Sequence, residues 1–214
     1  MYTPRHNREE DPARLCDFMR EYSFAALVTT RAAANGGDSH APHIHATHLP
    51  FLIEREGDSF KLFAHIAKAN PQWRDFDGAR EALVIFQEPH AYISPRHYDE
   101  ALSVPTWNYV AVHAYGAPVP FQSDEEKLRL LRRMIEELDA DYLARWDEMP
   151  ARYVTQKLGG IVAFHIEVTR LEARFKLSQD RSIAERERIV SELSASADRT
   201  RSRLGELMKE DAQP

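Results

Sequence analysis

Among 214 residues there is one cysteine, Cys16. A single thiol cannot close a disulfide within the chain, and it excludes zinc and iron–sulfur centres built from several cysteines. It also makes a reducing compartment, the cytoplasm, the expected location. Long apolar runs are missing: no stretch approaches the ~18 residues of a membrane-spanning helix, so no membrane partner is expected. The opening "MYTPRHNREEDPARL" has charge but no apolar stretch behind it, so a secretory signal is not expected. Neither Gly-x-Gly-x-x-Gly, a P-loop nor a nucleophile elbow occurs, and a bound nucleotide would not be held by a Rossmann motif. Positive charge is not in excess either. The net charge of −6 argues against nonspecific nucleic-acid binding by the whole molecule. Even the arginine-rich stretch 181–214 holds seven basic and seven acidic residues, a balanced helical face and not a polybasic tail.

What is present suits one generous domain with appendages. Asp11-Pro12 places an N-cap carboxylate before a proline at the first helical position. Leu15, Phe18, Met19 and Tyr22 then recur at helical spacing, with Cys16 expected to be buried packing. Strands are expected over 24–29, 42–53, 59–66, 81–87, 91–95, 107–121 and 161–173, with a hairpin turn at 54–58. Gly116 and Pro118 mark a bulge or an edge near the end of the long strand 107–121. Ser123–Glu126 and Ser182–Glu185 are capping boxes. The first opens a helix whose buried face reads as Leu128, Leu131, Ile135 and Leu138, and the second opens charged helices to about 209. A short helix around 150–158 stops at Gly159-Gly160. Strands adjacent in sequence and joined by short turns favour an antiparallel sheet or barrel over a parallel α/β sheet.

The blocks "MYTPRH" (1–6), "THLPF" (47–51), "AHIAKANPQW" (64–73), "PHAYISPRHY" (89–98), "VPTWNYVAVHAYG" (104–116) and "FKLSQDR" (175–181) stand in order along the chain. Together they resemble the PaiB family, bacterial FMN-binding transcriptional regulators, from Met1 to about residue 195. The resemblance implies a mainly β fold with flanking helices: a six-stranded antiparallel FMN-binding split barrel over 1–180, then C-terminal helices over 181–214. It implies a cytoplasmic homodimer with flavin in the dimer cleft. The chain departs from the family pattern at Asn7, Arg96, His97 and Asp180, at the Gln87-Glu88 pair, and in a longer loop at 31–46.

FMN brings a dianionic phosphate and a flat ring, which call for cations, amide donors and stacking partners. The carry-over from split barrels lands on Lys68 for the phosphate, with Asn70 and a helix starting at Pro71 adding donors, and with His65 close by in sequence. Taken alone, Lys68 is a solvent-facing lysine and Asn70 an ordinary helix cap. Trp73 fits core packing as well as flavin contact. His48, Leu49 and Pro50 resemble the strand segment that faces the isoalloxazine edge, or are a plain strand end. Trp107, Asn108 and Tyr109 offer an aromatic platform beside an amide, for a ligand or for the dimer interface. Lys176, Ser178 and Gln179 offer donors to an anion, or form a structural turn.

No residue pattern makes a catalytic triad around His65, His90 or His113, so no catalytic residue is assigned. The competing function is a flavin-dependent oxidoreductase or a haem-handling split barrel, since one scaffold hosts many chemistries. DNA is the partner that the regulator label implies, yet no helix-turn-helix is evident. Arg129, Arg132 and Arg133 are followed at once by Glu136 and Glu137, the pattern of a solvated face. The four histidines of "HAPHIHATH" do not read as a built metal centre. His43 and His45 share one face of a strand, His48 points to the other, and His40 belongs to the preceding loop.

Overall fold

The computed structural model describes residues 1–31 and 43–211. Helix α1 (Pro12–Glu21) leads into β1 (Phe24–Arg31), β2 (His43–Pro50), β3 (Leu52–Glu56) and β4 (Ser59–Ala67). After a 3-10 turn (Pro71–Asp75) come β5 (Ala82–Ile93), β6 (Thr106–Gly116) and β7 (Pro118–Pro120). Helices α2 (Asp124–Leu138), α3 (Leu143–Asp147) and α4 (Ala151–Leu158) precede β8 (Ile161–Glu167) and β9 (Arg170–Lys176). Helices α5 (Ile183–Ser194) and α6 (Arg199–Glu210) end the described chain. The strands form two sheets, in the orders β2-β1-β5-β6-β9 and β3-β4-β8-β7. The pairings β1–β2, β1–β5, β3–β4, β4–β8 and β7–β8 are all antiparallel.

Several strands divide differently from their sequence reading. The single strand expected over 42–53 is two, broken at Phe51, and its halves lie in different sheets. Phe51 is buried, and its N–H donates to Ser23 O at 2.9 Å, which holds the crossing point. Because the residues on both sides of the break are apolar, hydropathy carries no trace of it. The runs at 81–87 and 91–95 are instead one strand, β5. Its buried positions are even-numbered through Phe86 and odd-numbered from Pro89, so Glu88 (φ 152°) is an extra, bulged residue. The bulge lets a proline lie inside the strand instead of ending it. The expected last strand, 161–173, turns at Val168-Thr169 into β8 and β9, with Thr169 N–H donating to Tyr115 O at 2.8 Å. Pro118 and Pro120 sit on β7, the edge of the second sheet, where a missing N–H costs no ladder bond.

The chain divides into two compact units. One comprises residues 12–85 and 114–171. Its core contains Leu27, Phe51, Leu62, Ile66, Val84, Phe164 and Ile166, all essentially without solvent contact. Phe164 meets Phe76 at 4.6 Å between ring centroids and Phe51 edge-on at 6.3 Å. Helix α2, opened by the capping box Ser123–Glu126, packs Leu130 and Met134 on Leu52, Phe63 and Ala163, with Leu131 beside them. The buried face is therefore one position round from the expected one, and Leu128 and Leu138 are exposed. Adjacent leucines at 130 and 131 make either stripe plausible in isolation; docking on β3, β4 and β8 selects one.

The other unit comprises residues 1–11, 86–113 and 172–214. Helices α5 and α6 bury Ile189, Leu193, Leu204, Leu207 and Met208. They approach closely at Gly205, where an added Cβ would stand 2.9 Å from Ser194 Oγ. The capping box Ser182–Glu185 starts α5 as its sequence indicates, and Glu185 also accepts from Asp99 N–H at 2.9 Å.

Candidate functional site

The sequence-derived site residues fall into two groups, one in each unit. In the first unit, β4 ends at Ala67 and the chain turns immediately, with Asn70 N–H donating to Ala67 O at 2.9 Å. Lys68 stands at this turn with an exposed side chain while its backbone is held on both sides. Its N–H donates to Gly160 O, and its carbonyl accepts the Trp73 indole N–H, each at 2.9 Å. Trp73 thereby closes the turn over Lys68, and Arg74 lies 5.8 Å from its ring. The expected helix start at Pro71 is a five-residue 3-10 turn. Asn70 caps it: Asn70 Oδ1 accepts from Gln72 N–H at 3.0 Å, and its Nδ2 donates to the Thr47 hydroxyl at 2.9 Å. Its side chain is thus engaged with the turn itself.

Thr47 brings the "HLP" strand to this turn. Among the described residues, strand β2 is the outer strand of its sheet. The Phe51–Ser23 hydrogen bond sets the antiparallel alternation, so odd residues of β2 face β1 and the N–H and C=O of His48 point to the open edge. Its exposed imidazole stacks on Phe24 at 6.0 Å. Leu49 is buried and Pro50 half-buried. His65, near the end of β4, is largely buried; burial pushes its imidazole pKa down, and its Nδ1 has no hydrogen-bond partner. The exposed Lys68 ammonium and the outward backbone groups of β2 are donors of the kind an anionic, hydrogen-bonding ligand takes, while the enclosed His65 Nδ1 is left without a partner.

Beneath the turn lies a polar network that no motif in the sequence marks. Asp75 has a fully buried side chain. It accepts from the Thr29 hydroxyl at 2.8 Å, from Arg31 Nε at 2.6 Å and from His45 Nδ1 at 2.7 Å. Burial works against its ionisation, but the hydrogen bonds from His45, Thr29 and Arg31 outweigh it and hold the carboxyl below its usual pKa. His45 is thereby drawn out of the histidine cluster, while His43 stays exposed and His40 lies outside the described residues. Among the described residues no group of three or more His, Cys, Asp or Glu is placed to hold a metal.

In the second unit, Trp107 is half-exposed, with His90 5.8 Å and Tyr92 6.2 Å away between ring centroids. A pocket of about 320 Å³ adjoins it, lined by Met1, Gln87, His90, Trp107, Tyr109, Ala111 and His113. Burial lowers the His113 pKa, with a smaller push in the same direction from the N-terminal ammonium. Lys176 Nζ donates to Trp107 O at 2.7 Å and to the Thr106 hydroxyl, and burial lowers its pKa.

Asn108 and Ser178 are buried. The Asn108 amide donates to Ser178 Oγ at 2.8 Å and approaches Met208 Sδ at 3.7 Å. Gln179 braces the turn after β9, accepting from Leu177 N–H at 2.8 Å and donating to Phe175 O at 2.6 Å. Ser178 itself takes a left-handed conformation (φ 59°). The polar side chains of Asn108, Ser178 and Gln179 are thus joined to the protein's own groups, and Trp107 carries the accessible surface of this group.

Comparison with known proteins adds three findings. Residues 1–170 match the family model described as "Putative FMN-binding domain". The chain is 34% identical over 212 residues to the Bacillus subtilis (strain 168) protein named "Protease synthase and sporulation protein PAI 2", covering 98% of this chain and 97% of that one. Its fold is similar to the FAD and haem binding protein from Mycobacterium smegmatis, with a TM-score of 0.56 and 16% identity over 79% of this chain and 73% of that one. It is also similar to the flavocytochrome Anf3 from Azotobacter vinelandii, with a TM-score of 0.57 and 14% identity over 81% and 72% of the two chains.

Proposed function

This chain belongs to the PaiB family of FMN-binding split-barrel proteins, and from that premise we propose that it binds FMN through the Lys68 turn and acts as a flavin-dependent transcriptional regulator. The observation that carries the flavin reading is Lys68 itself: an exposed ammonium on a backbone clamped between Gly160 and Trp73. A flexible lysine is a poor specific ligand, whereas one on a fixed backbone presents its charge at a defined place. Lys68 holds the phosphate, His65 donates or accepts through its orphaned Nδ1, and the open-edge backbone groups of His48 meet the polar rim of the ring. In the other unit, Trp107 presents the exposed aromatic surface through which the protein associates as a homodimer. The flavin supplies a ring whose redox state changes its charge and hydrogen bonding, and the regulator reads that state.

The cofactor reading is tested by the absorption spectrum of the freshly purified protein and by titration with FMN. Lys68→Ala is expected to weaken FMN binding about tenfold or more, the scale of losing a charge-assisted contact to phosphate. An unchanged dissociation constant would remove Lys68 from the site. The regulatory reading is supported by the family alone. Footprinting on the DNA upstream of its own gene, with and without FMN, tests it; absence of a specific footprint at physiological salt refutes it.

A further inference from the structure

Gln72 and Asp75 are only 1% and 2% exposed. Burying such polar groups is costly unless every hydrogen bond is made, and an apolar residue of equal volume would fill either place more cheaply. What they offer in exchange is geometry. The turn Pro71–Asp75 is only five residues long, with backbone bonds such as Phe76 N–H to Trp73 O at 3.1 Å. It is held from β1 and β2 by side chains. At one end the chain of donors runs from Asn70 Nδ2 to the Thr47 hydroxyl and on to Gln72 Oε1, at 2.9 and 2.5 Å. Gln72 Nε2 reaches Leu27 O at 3.1 Å and Thr29 Oγ1 at 3.2 Å. At the other end Asp75 gathers Thr29, Arg31 and His45, and Arg31 also donates to Pro71 O at 3.2 Å. Lys68 and Trp73, joined by their own bond, ride on the piece so fixed.

We propose that Thr47, Gln72 and Asp75 are positioning residues that lock the Lys68–Trp73 segment to β1 and β2, and thereby make the site select phosphorylated over unphosphorylated flavin. The inference rests on the flavin reading above. None of the three residues touches the ligand. They act by keeping the Lys68 backbone in one place, so their loss is felt where the phosphate binds and not where the ring binds.

Thr47→Val removes the hydroxyl relay at nearly constant volume, Thr47→Ser retains it, and Asp75→Asn removes the acceptor charge from the second anchor. Affinities for FMN and riboflavin, with amide hydrogen exchange over residues 68–76 of the flavin-free protein, separate the outcomes. Expected are an about tenfold loss of FMN affinity in Thr47→Val and Asp75→Asn, with riboflavin changed less than about twofold, and near-normal values in Thr47→Ser. Exchange at 68–76 should speed up in both weakened variants. Equal losses for both flavins, as a merely structural role would produce, overturn the proposal. If the unsubstituted protein ignores FMN, the flavin reading fails by itself. Unchanged exchange in Thr47→Val then overturns the positioning role as well, and faster exchange upholds the lock without its ligand.

Discussion

At the scale of single residues, Asp75 shows how far a side chain's environment can depart from its local sequence. Nothing in "PQWRDF" separates this aspartate from a surface one, yet its carboxylate is buried under three donors. Its pKa is lower in the folded chain than in the unfolded one. Its contribution to stability is therefore fully present above the ordinary carboxyl pKa of about 4 and is lost as pH falls through the lower folded value. Urea unfolding as a function of pH should show that acid limb. Asp75→Asn should be less stable at neutral pH by about 3 kcal/mol, because Arg31 loses its buried partner, and should have a flatter limb below about pH 4. A limb of unchanged steepness would show that other carboxyls set it. Asn108 teaches the converse. Its place between Trp107 and Tyr109 suggests a ligand-facing amide, but strand alternation turns it inward, onto Ser178 and Met208.

At the scale of elements, the helix starts were legible and the strand ends were not. Both capping boxes form with their reciprocal bonds, because a cap is decided by residues three apart in sequence. The hairpin between β3 and β4 is equally local, with Gly57 at φ 58° supplying the conformation its turn needs. Strand breaks at Phe51 and Val168 depend on which sheet receives the next residues, and that is decided by partners distant in sequence. Gly116 marks such a meeting point. A Cβ there would stand 2.2 Å from Glu167 O and 2.6 Å from Ile166 Cγ2, so β8 could not keep its place. Gly116→Ala should destabilise the fold by about 3 kcal/mol, read as a lowered urea midpoint. A change below about 0.5 kcal/mol would mean that the β6–β7 junction gives way freely.

At the scale of the molecule, charge is arranged for self-pairing. Arg186 meets Asp211 at 3.1 Å, Arg188 meets Asp99 at 2.6 Å, and Arg201 meets Glu192 at 3.0 Å. On α2, Arg129 pairs with Glu125 at 2.8 Å, Arg133 with Glu54 at 2.5 Å, and Arg132 with Asp147. These arginines carry acidic neighbours to any surface they approach, and the net charge of −6 adds a general repulsion from phosphate. Nonspecific duplex DNA should therefore give no gel shift at about 10 μM protein and physiological salt, weaker than ordinary nonspecific DNA binders. A shift under those conditions would mean that a basic face is assembled by association of copies. If the proposed regulation through DNA holds, it depends on a specific operator and not on general affinity.

The amino-acid sequence alone determined the family, the antiparallel character, the helix caps and the turn that carries Lys68. Each depends on residue types at short spacing, or on ordered blocks that need no three-dimensional knowledge to read. Tertiary structure alone decided what holds that turn. Thr29 and Asp75 are 46 residues apart, and Thr47 and Gln72 are 25 apart. A hydrogen bond between distant residues leaves no periodicity and no local signature, since each partner by itself is an ordinary polar residue. Only when β1, β2 and the 71–75 turn are packed together does burial pair these groups with one another and with the carbonyls beside them.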